Sequence, residues 1–208
     1  MLNVNTSVLG RPADPEELKK AIDAVIAEKN PLPPRVGELY VQTGLKFGIH
    51  PLFAASQAIY ETGWFRFGGQ VDASWHNPAG LKCEGRFVRF NNWEEGIHAH
   101  YERLNCYVRP ADTTGEGGKY DPCYGHWRYY KLIEMGKTPP DRIINLVSLW
   151  STGNPYSYAQ AVVNIMQTIA NRMPVPPGPP EGKESFAVPM GGVLGITLAK
   201  ILLKGRKR

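Results

Sequence analysis

The sequence predicts an α+β domain that is mostly helical and carries one short β-hairpin. Three observations lead there. Apolar residues recur at helical spacing in several segments bounded by capping residues and prolines. The one hairpin-like stretch, "GLKCEGRFVRF" at 80–90, is short. A hydrophobic fraction of 42% across 208 residues is enough to bury one core of ordinary size. The expected organisation is a domain over 1–173, with its core at about 35–173 and an N-terminal helix at 14–29. A Pro-rich linker over 174–185, containing the stiff "PVPPGPP", and a tail over 186–208 complete the chain.

Asp14-Pro15-Glu16-Glu17 opens the first helix. Asp14 can accept from free backbone N–H groups, Pro15 suits the first helical position, and Glu17 completes a capping-box spacing. Leu18, Ile22 and Val25 continue the period to about Lys29, where "NPLPP" stops it. A second helix over about 36–47 buries Leu39, Tyr40 and Phe47 and ends at Gly48. "HPLFAASQAIYE" is the third, starting near Pro51; its small residues Ala54, Ala55, Ser56 and Ala58 permit close packing, which makes it the expected central helix. The hairpin follows and turns at Glu84-Gly85. In "NNWEEGIHAHYERLNCYV" Asn92 caps a helix whose buried stripe is Ile97, Tyr101, Leu104 and Val108. Residues 109–130 read as loop, and two more helices are expected over about 141–150 and 158–172.

Net charge is +5 and the pI about 9.1, which permits an anionic partner without specifying one. Lys200, Lys204, Arg206, Lys207 and Arg208 account for the whole excess, so the body of the chain is near neutral. Cys83, Cys106 and Cys123 form no CxxC pair and leave an odd count. That argues against a disulfide framework and a cysteine zinc site, although one pair could bridge. His98 and His100, two apart on a helix, point in different directions. With Glu94 and His98 read as an ordinary surface pair, no metal is expected. No phosphate-binding glycine motif appears, so neither a cofactor nor a nucleic acid partner is expected. The start "MLNVNTSVLGRP" lacks the basic-then-apolar pattern of a secretory signal. The tail is apolar over 186–203 but broken by Pro189 and Lys200, short of the ~20 residues of a bilayer span. A membrane anchor, a surface helix and a basic tail are its three readings.

The stretch with chemical content is "AIYETGWFRFGG", residues 58–69. In a helix from Pro51, residues Ala54, Gln57 and Glu61 share a face, and Glu61 falls in the last turn. The helix dipole there disfavours an ionised carboxylate, and nearby rings would disfavour it further by desolvation. A carboxylic acid kept protonated near neutral pH is what general-acid cleavage of a glycosidic bond requires. Gly63, Gly68 and Gly69 allow close backbone approach by a ligand. Trp64, Phe67 and Trp75 supply rings for sugar faces, and Asn77, three residues before Gly80 in "HNPAGLK", supplies an amide. Together these describe a carbohydrate cleft.

"QAIYETGWFRFGG", "HNPAGLK" and "NNWEEGIHAHYERLNCY", in that order, resemble the glucosaminidase domain of glycoside hydrolase family 73, from roughly Leu9 to Arg172. The resemblance implies a lysozyme-like fold and cleavage of the β-1,4 bond between N-acetylglucosamine and N-acetylmuramic acid in peptidoglycan. It implies Glu61 as general acid, Asn77 to Gly80 in the cleft, and Tyr158 lining the site opposite the glutamate. A second carboxylate is usual on the hairpin of such domains. Here Glu84 is the hairpin's only acid, Gln70 stands where relatives often have Asp, and Asp72 lies two residues on. Glu84 and Asp72 are therefore the candidates for the second role, with Asp121 as a third acid bordering the groove. The alternatives to a glucosaminidase are a muramidase or lytic transglycosylase on the same scaffold, and a wall-binding module without turnover. The expected partner is a peptidoglycan glycan strand, met by a monomer at the cell wall or extracellular face, or by a phage-encoded lysin released at lysis. Membrane contact would run through 186–208.

Overall fold

The computed structural model of the protein describes residues 1–174, so the expected linker beyond Pro174 and the tail lie outside the described residues. Among the described residues there are seven α-helices and a two-stranded antiparallel sheet. The helices are α1 (Pro15–Ala27), α2 (Gly37–Phe47), α3 (Pro51–Thr62), α4 (Trp93–Val108), α5 (Trp127–Glu134), α6 (Ile143–Trp150) and α7 (Pro155–Ala170). Strands β1 (Lys82–Cys83) and β2 (Arg86–Phe87) pair with Lys82 opposite Phe87 and Cys83 opposite Arg86, around the expected Glu84-Gly85 turn. The architecture is the mostly helical α+β, lysozyme-like one. No helix of the described residues is long and apolar enough to cross a membrane.

Helix α3 is the central element. Every residue from Pro51 to Ile59 is buried, as an all-round apolar helix must be, and it packs most extensively against α7 and also against α1 and α2. Pro51 starts it, and Gly63 ends it in the left-handed conformation at φ 56°. Before α1, the chain crosses the molecule: Val8 N–H donates to Asp141 O at 2.8 Å, and His50 N–H donates to Val8 O at 2.7 Å. One close approach fixes α4 against the segment before the hairpin. A methyl group on Gly96 would sit 1.7 Å from the carbonyl oxygen of His76, so only glycine fits.

Three expectations are corrected and one open question is answered. Residues 127–130, read as loop, are the first half of α5; only Arg128 and Leu132 of this short helix are buried, too few inward positions for a period to show. Helix α7 starts at Pro155, with Asn154 accepting from the Tyr156 and Ser157 N–H groups; the Asn-Pro pair was a helix start. His98 is no surface residue paired with Glu94. It is buried, with Nδ1 3.4 Å from Glu102 and Nε2 3.2 Å from Glu116. Finally, Cys83 and Cys123 form a disulfide, while Cys106 is buried and free.

That disulfide belongs to a larger tether between α4, the hairpin and the loop at 112–125. Glu102 is wholly buried and accepts from the backbone N–H groups of Lys119, Tyr120 and Asp121. Arg103 grips Asp121 with Nε at 2.5 Å and Nη2 at 2.6 Å, and its Nη2 also reaches Lys82 O at 3.3 Å. A buried carboxylate is tolerable when its lone pairs are filled in this way. Asp121, a candidate acid from sequence, is thus an ion-paired structural residue.

Candidate active site

The chain leaves α3 through an uncommon turn. Trp64, Phe65 and Phe67 all have positive φ, at 63°, 56° and 49°. Bulky side chains in this region cost of order 1 kcal/mol or more each, so the surroundings must hold them there. Trp64 N–H bonds to Ile59 O at 2.9 Å, Phe65 N–H to Thr62 Oγ1 at 2.8 Å, and Asn30 Nδ2 to Phe65 O at 3.0 Å. Phe65 is buried and meets Trp93 edge to face. This turn carries the backbone sharply away from the last residues of α3 and opens the space above Glu61.

That space is a cleft of about 490 Å³. Glu61, Thr62 and Gly63 line it from α3, and Phe67 to Val71 from the turn. Asn77, Gly80, Lys82 and Phe87 line it from the hairpin side. Glu61 is the only carboxylate among these residues.

Glu61 sits at the end of a directed hydrogen-bond chain. His100 is fully buried, and burial pushes its pKa down to about 3, so its ring is neutral. Gln57 Nε2 donates to the Tyr158 hydroxyl at 3.1 Å, which turns Gln57 Oε1 toward His100 Nε2 at 3.0 Å. That oxygen can only accept, so the imidazole proton is on Nε2. His100 Nδ1 is then a bare lone pair, and it has no partner among the described residues. The Tyr158 hydroxyl, holding one proton, donates it to Glu61 Oε1. Trp150 Nε1 donates to the same oxygen at 2.9 Å.

Two donors on Oε1 make it the accepting oxygen, so in the neutral acid Oε1 is the carbonyl oxygen and the proton belongs on Oε2. Desolvation is the largest influence on Glu61 and raises its pKa, while the bonds from Tyr158 and Trp150 oppose the rise. The residue keeps an exposed edge in the cleft even though protein atoms crowd its carboxyl. Burial and the neighbouring glutamate hold the Tyr158 phenol well above its ordinary pKa, so it remains a donor.

The other residues singled out from sequence divide into two groups. Phe67 and Gly80 line the cleft, Tyr158 donates to Glu61, and Gln57 is one bond further back, donating to Tyr158. Asn77 lines the cleft, but its amide is committed to the chain. It donates to Leu81 O at 3.0 Å and Val88 O at 2.9 Å, and accepts from Leu81 N–H at 2.8 Å. Its role is to fix the hairpin, where a sugar contact was expected. Trp64 and Trp75 do not line the cleft; Lys29 lies over Trp64, and the Arg89 guanidinium stacks 3.9 Å over Trp75. Asp72 caps the short turn at Ala73–Trp75 by accepting from Ser74 N–H at 2.8 Å, and hydrogen bonding by the Ser74 side chain and then by its backbone holds the Asp72 pKa down. Glu84 is exposed at the hairpin tip with φ 50°. Neither acid lines the cleft. Trp150, His100 and Lys82 were not singled out as site residues. Nothing in "SLWSTGNP" marks Trp150 as a partner of a glutamate 89 positions earlier.

A cleft at the end of a buried central helix, holding one hydrogen-bonded acid with a raised pKa, is an arrangement suited to general-acid chemistry. The chain belongs to the glucosaminidase family, described as mannosyl-glycoprotein endo-beta-N-acetylglucosaminidase, whose model matches residues 37–171. That membership supports glycoside hydrolysis of the peptidoglycan-hydrolase type. An uncharacterized protein of Borreliella burgdorferi is 27% identical over 124 residues, covering 58% of this chain and 56% of the relative. No solved structure matches the chain.

Proposed function

We propose that the protein is an endo-β-N-acetylglucosaminidase that cuts the β-1,4 bond on the N-acetylglucosamine side of peptidoglycan strands, with Glu61 as general acid. The observation that carries this is Glu61's place as the single carboxylate of the described residues lining the cleft, desolvated so that its pKa is raised. Both donors are on Oε1, so Oε2 is the oxygen that carries the proton of the neutral acid. As the C1–O bond breaks, Oε2 gives its proton to the departing sugar's O4. The positive charge that develops at C1 needs an electron pair from elsewhere. With no second carboxylate lining the cleft, the substrate's own acetamido oxygen supplies it by bonding to C1. Water then displaces that oxygen and delivers its proton to the Glu61 carboxylate, which restores the acid. The place of action is the cell wall or extracellular face.

The test is digestion of purified peptidoglycan by the full chain and by Glu61→Gln, with the products reduced and identified by mass spectrometry. The wild type yields reduced N-acetylglucosamine ends, and Glu61→Gln loses about a thousandfold in rate. Asp72→Asn and Glu84→Gln each stay within about threefold of wild type, since neither acid lines the cleft. A loss for either variant comparable to that of Glu61→Gln would restore a two-carboxylate mechanism. The single acid also favours a second reading, a lytic transglycosylase, in which the muramic C6 hydroxyl attacks in place of water. Anhydro-muramic ends would establish it.

A further inference from the structure

A second hollow, of about 180 Å³, adjoins the cleft. Gly80 and Lys82 line both spaces, and Trp150, which touches Glu61, forms its wall together with Ala79, Leu81, Arg103 and Tyr107. The substrate therefore has room on both sides of Glu61. The hollow is well under half the volume of the cleft, a size suited to a substituent of a bound sugar.

Its charge is distinctive. Arg103 is 7% exposed and its Nε and Nη2 are engaged by Asp121 and Lys82 O, but Nη1 has no acceptor among the described residues. The Lys82 ammonium lies 4.2 Å above the Phe87 ring, and no carboxylate of the described residues lies within 4.0 Å of it. The ring, which lines the main cleft, holds the cation without neutralising it, on a residue that lines both spaces. With Arg103 paired to Asp121, the Lys82 ammonium is the cation left without a carboxylate of the described residues at this hollow, and it favours an anion there.

The chemistry of the proposed reaction says which anion would arrive there. The oxygen protonated by Glu61 is O4 of the departing muramic acid, and that sugar bears its lactyl ether on the adjacent O3. The lactyl group must then lie beside the general acid. We infer that the hollow between Lys82, Arg103, Tyr107 and Trp150 is a subsite for the 3-O-lactyl group, with Lys82 pairing with its carboxylate. This rests on the glucosaminidase reading, and it makes peptide-free glycan the preferred substrate. In a strand that still bears its stem peptide the carboxylate is an amide, which an ammonium holds less strongly.

Binding separates this inference from the question of turnover. Calorimetry would use the full-length Glu61→Gln protein with two probes: the peptide-free tetrasaccharide of alternating N-acetylglucosamine and N-acetylmuramic acid, and the N-acetylglucosamine tetramer, which lacks lactyl groups. The lactyl glycan should bind about five- to tenfold more tightly, and the preference should weaken with salt. In Lys82→Met on the same background the ratio falls to about one, and Lys82→Arg retains most of it. Equal binding of both glycans by Glu61→Gln, or a preference that survives Lys82→Met, would overturn the subsite. If wild type releases no ends from peptidoglycan while the binding preference holds, the catalytic reading fails and the subsite stands.

Discussion

At the scale of the residue, the state of Glu61 follows from what surrounds it, and its pH behaviour has a definite sign. Desolvation favours the neutral carboxyl, so the active, protonated form persists above the ordinary carboxylate range. Activity should decline as pH rises through the raised pKa. Tyr158 donates to the charged form and lowers that pKa, so Tyr158→Phe should shift the decline to higher pH. The same variant strands Gln57 Nε2 and loosens the carboxyl, lowering kcat by about 10- to 100-fold. A pH–rate profile of the two proteins measures both effects; an unmoved alkaline limb would show that the tyrosine does not set the acid's pKa. Linkage gives a stability counterpart. A carboxyl whose folded pKa lies above its unfolded value adds stability at low pH and loses it as pH rises between the two. Glu61→Gln should therefore melt higher than wild type at pH 7, with the difference vanishing well below the ordinary value of about 4.5.

At the scale of the element, the sequence was legible wherever the signal is local. Asp14-Pro15, Pro51 and Asn92 mark helix starts through signals that act within four residues, and each stands where its residues place it. The hairpin turn at Glu84-Gly85 is of the same kind. Helix α5 was illegible because two inward residues make no period. The relay behind Glu61 was half legible: Gln57 shares its helix face, whereas His100 and Trp150 reach it from α4 and from the end of α6. Such pairings are tertiary and have no local spacing to betray them. Asn77 misled for a physical reason, since one buried amide can serve either a ligand or three backbone groups, and here it serves the backbone. The contact between α4 and His76 is open to test. Gly96→Ala would drive a methyl into a backbone carbonyl and should cost about 3 kcal/mol, read from urea denaturation. A smaller loss would mean that α4 can shift without disturbing the hairpin base.

At the scale of the whole molecule, the cleft has two walls of different construction. The α3 side belongs to the buried core and is held by packing across α1, α2 and α7. The hairpin side rests on a smaller apolar cluster of Ala79, Leu81, Phe90 and Ala99. Polar tethers from Glu102 and Arg103, and the bridge from Cys83 to Cys123, add to that support. The bridge spans 40 residues of sequence, and opening it should cost about 2–4 kcal/mol by the chain-entropy account. Thermal unfolding with and without reductant would measure this; coincident curves would show that the polar tethers suffice. Cys106 is a poor substitute partner, since burial pushes its thiol up to about 11 and keeps it unreactive.

The bridge also ties the finished form of the protein to its surroundings. Cytosolic reductants keep such thiols apart, and an oxidising exterior lets them join. A copy still inside the cell that made it would have Lys82 and Phe87 on a hairpin lacking its covalent brace. The same chain beyond the membrane would have a set wall and a fixed second side to its cleft. If the proposed wall-cutting activity holds and the wall is that of the cell that makes the protein, that difference would serve as a safety catch, released by the change of compartment and needing no inhibitor.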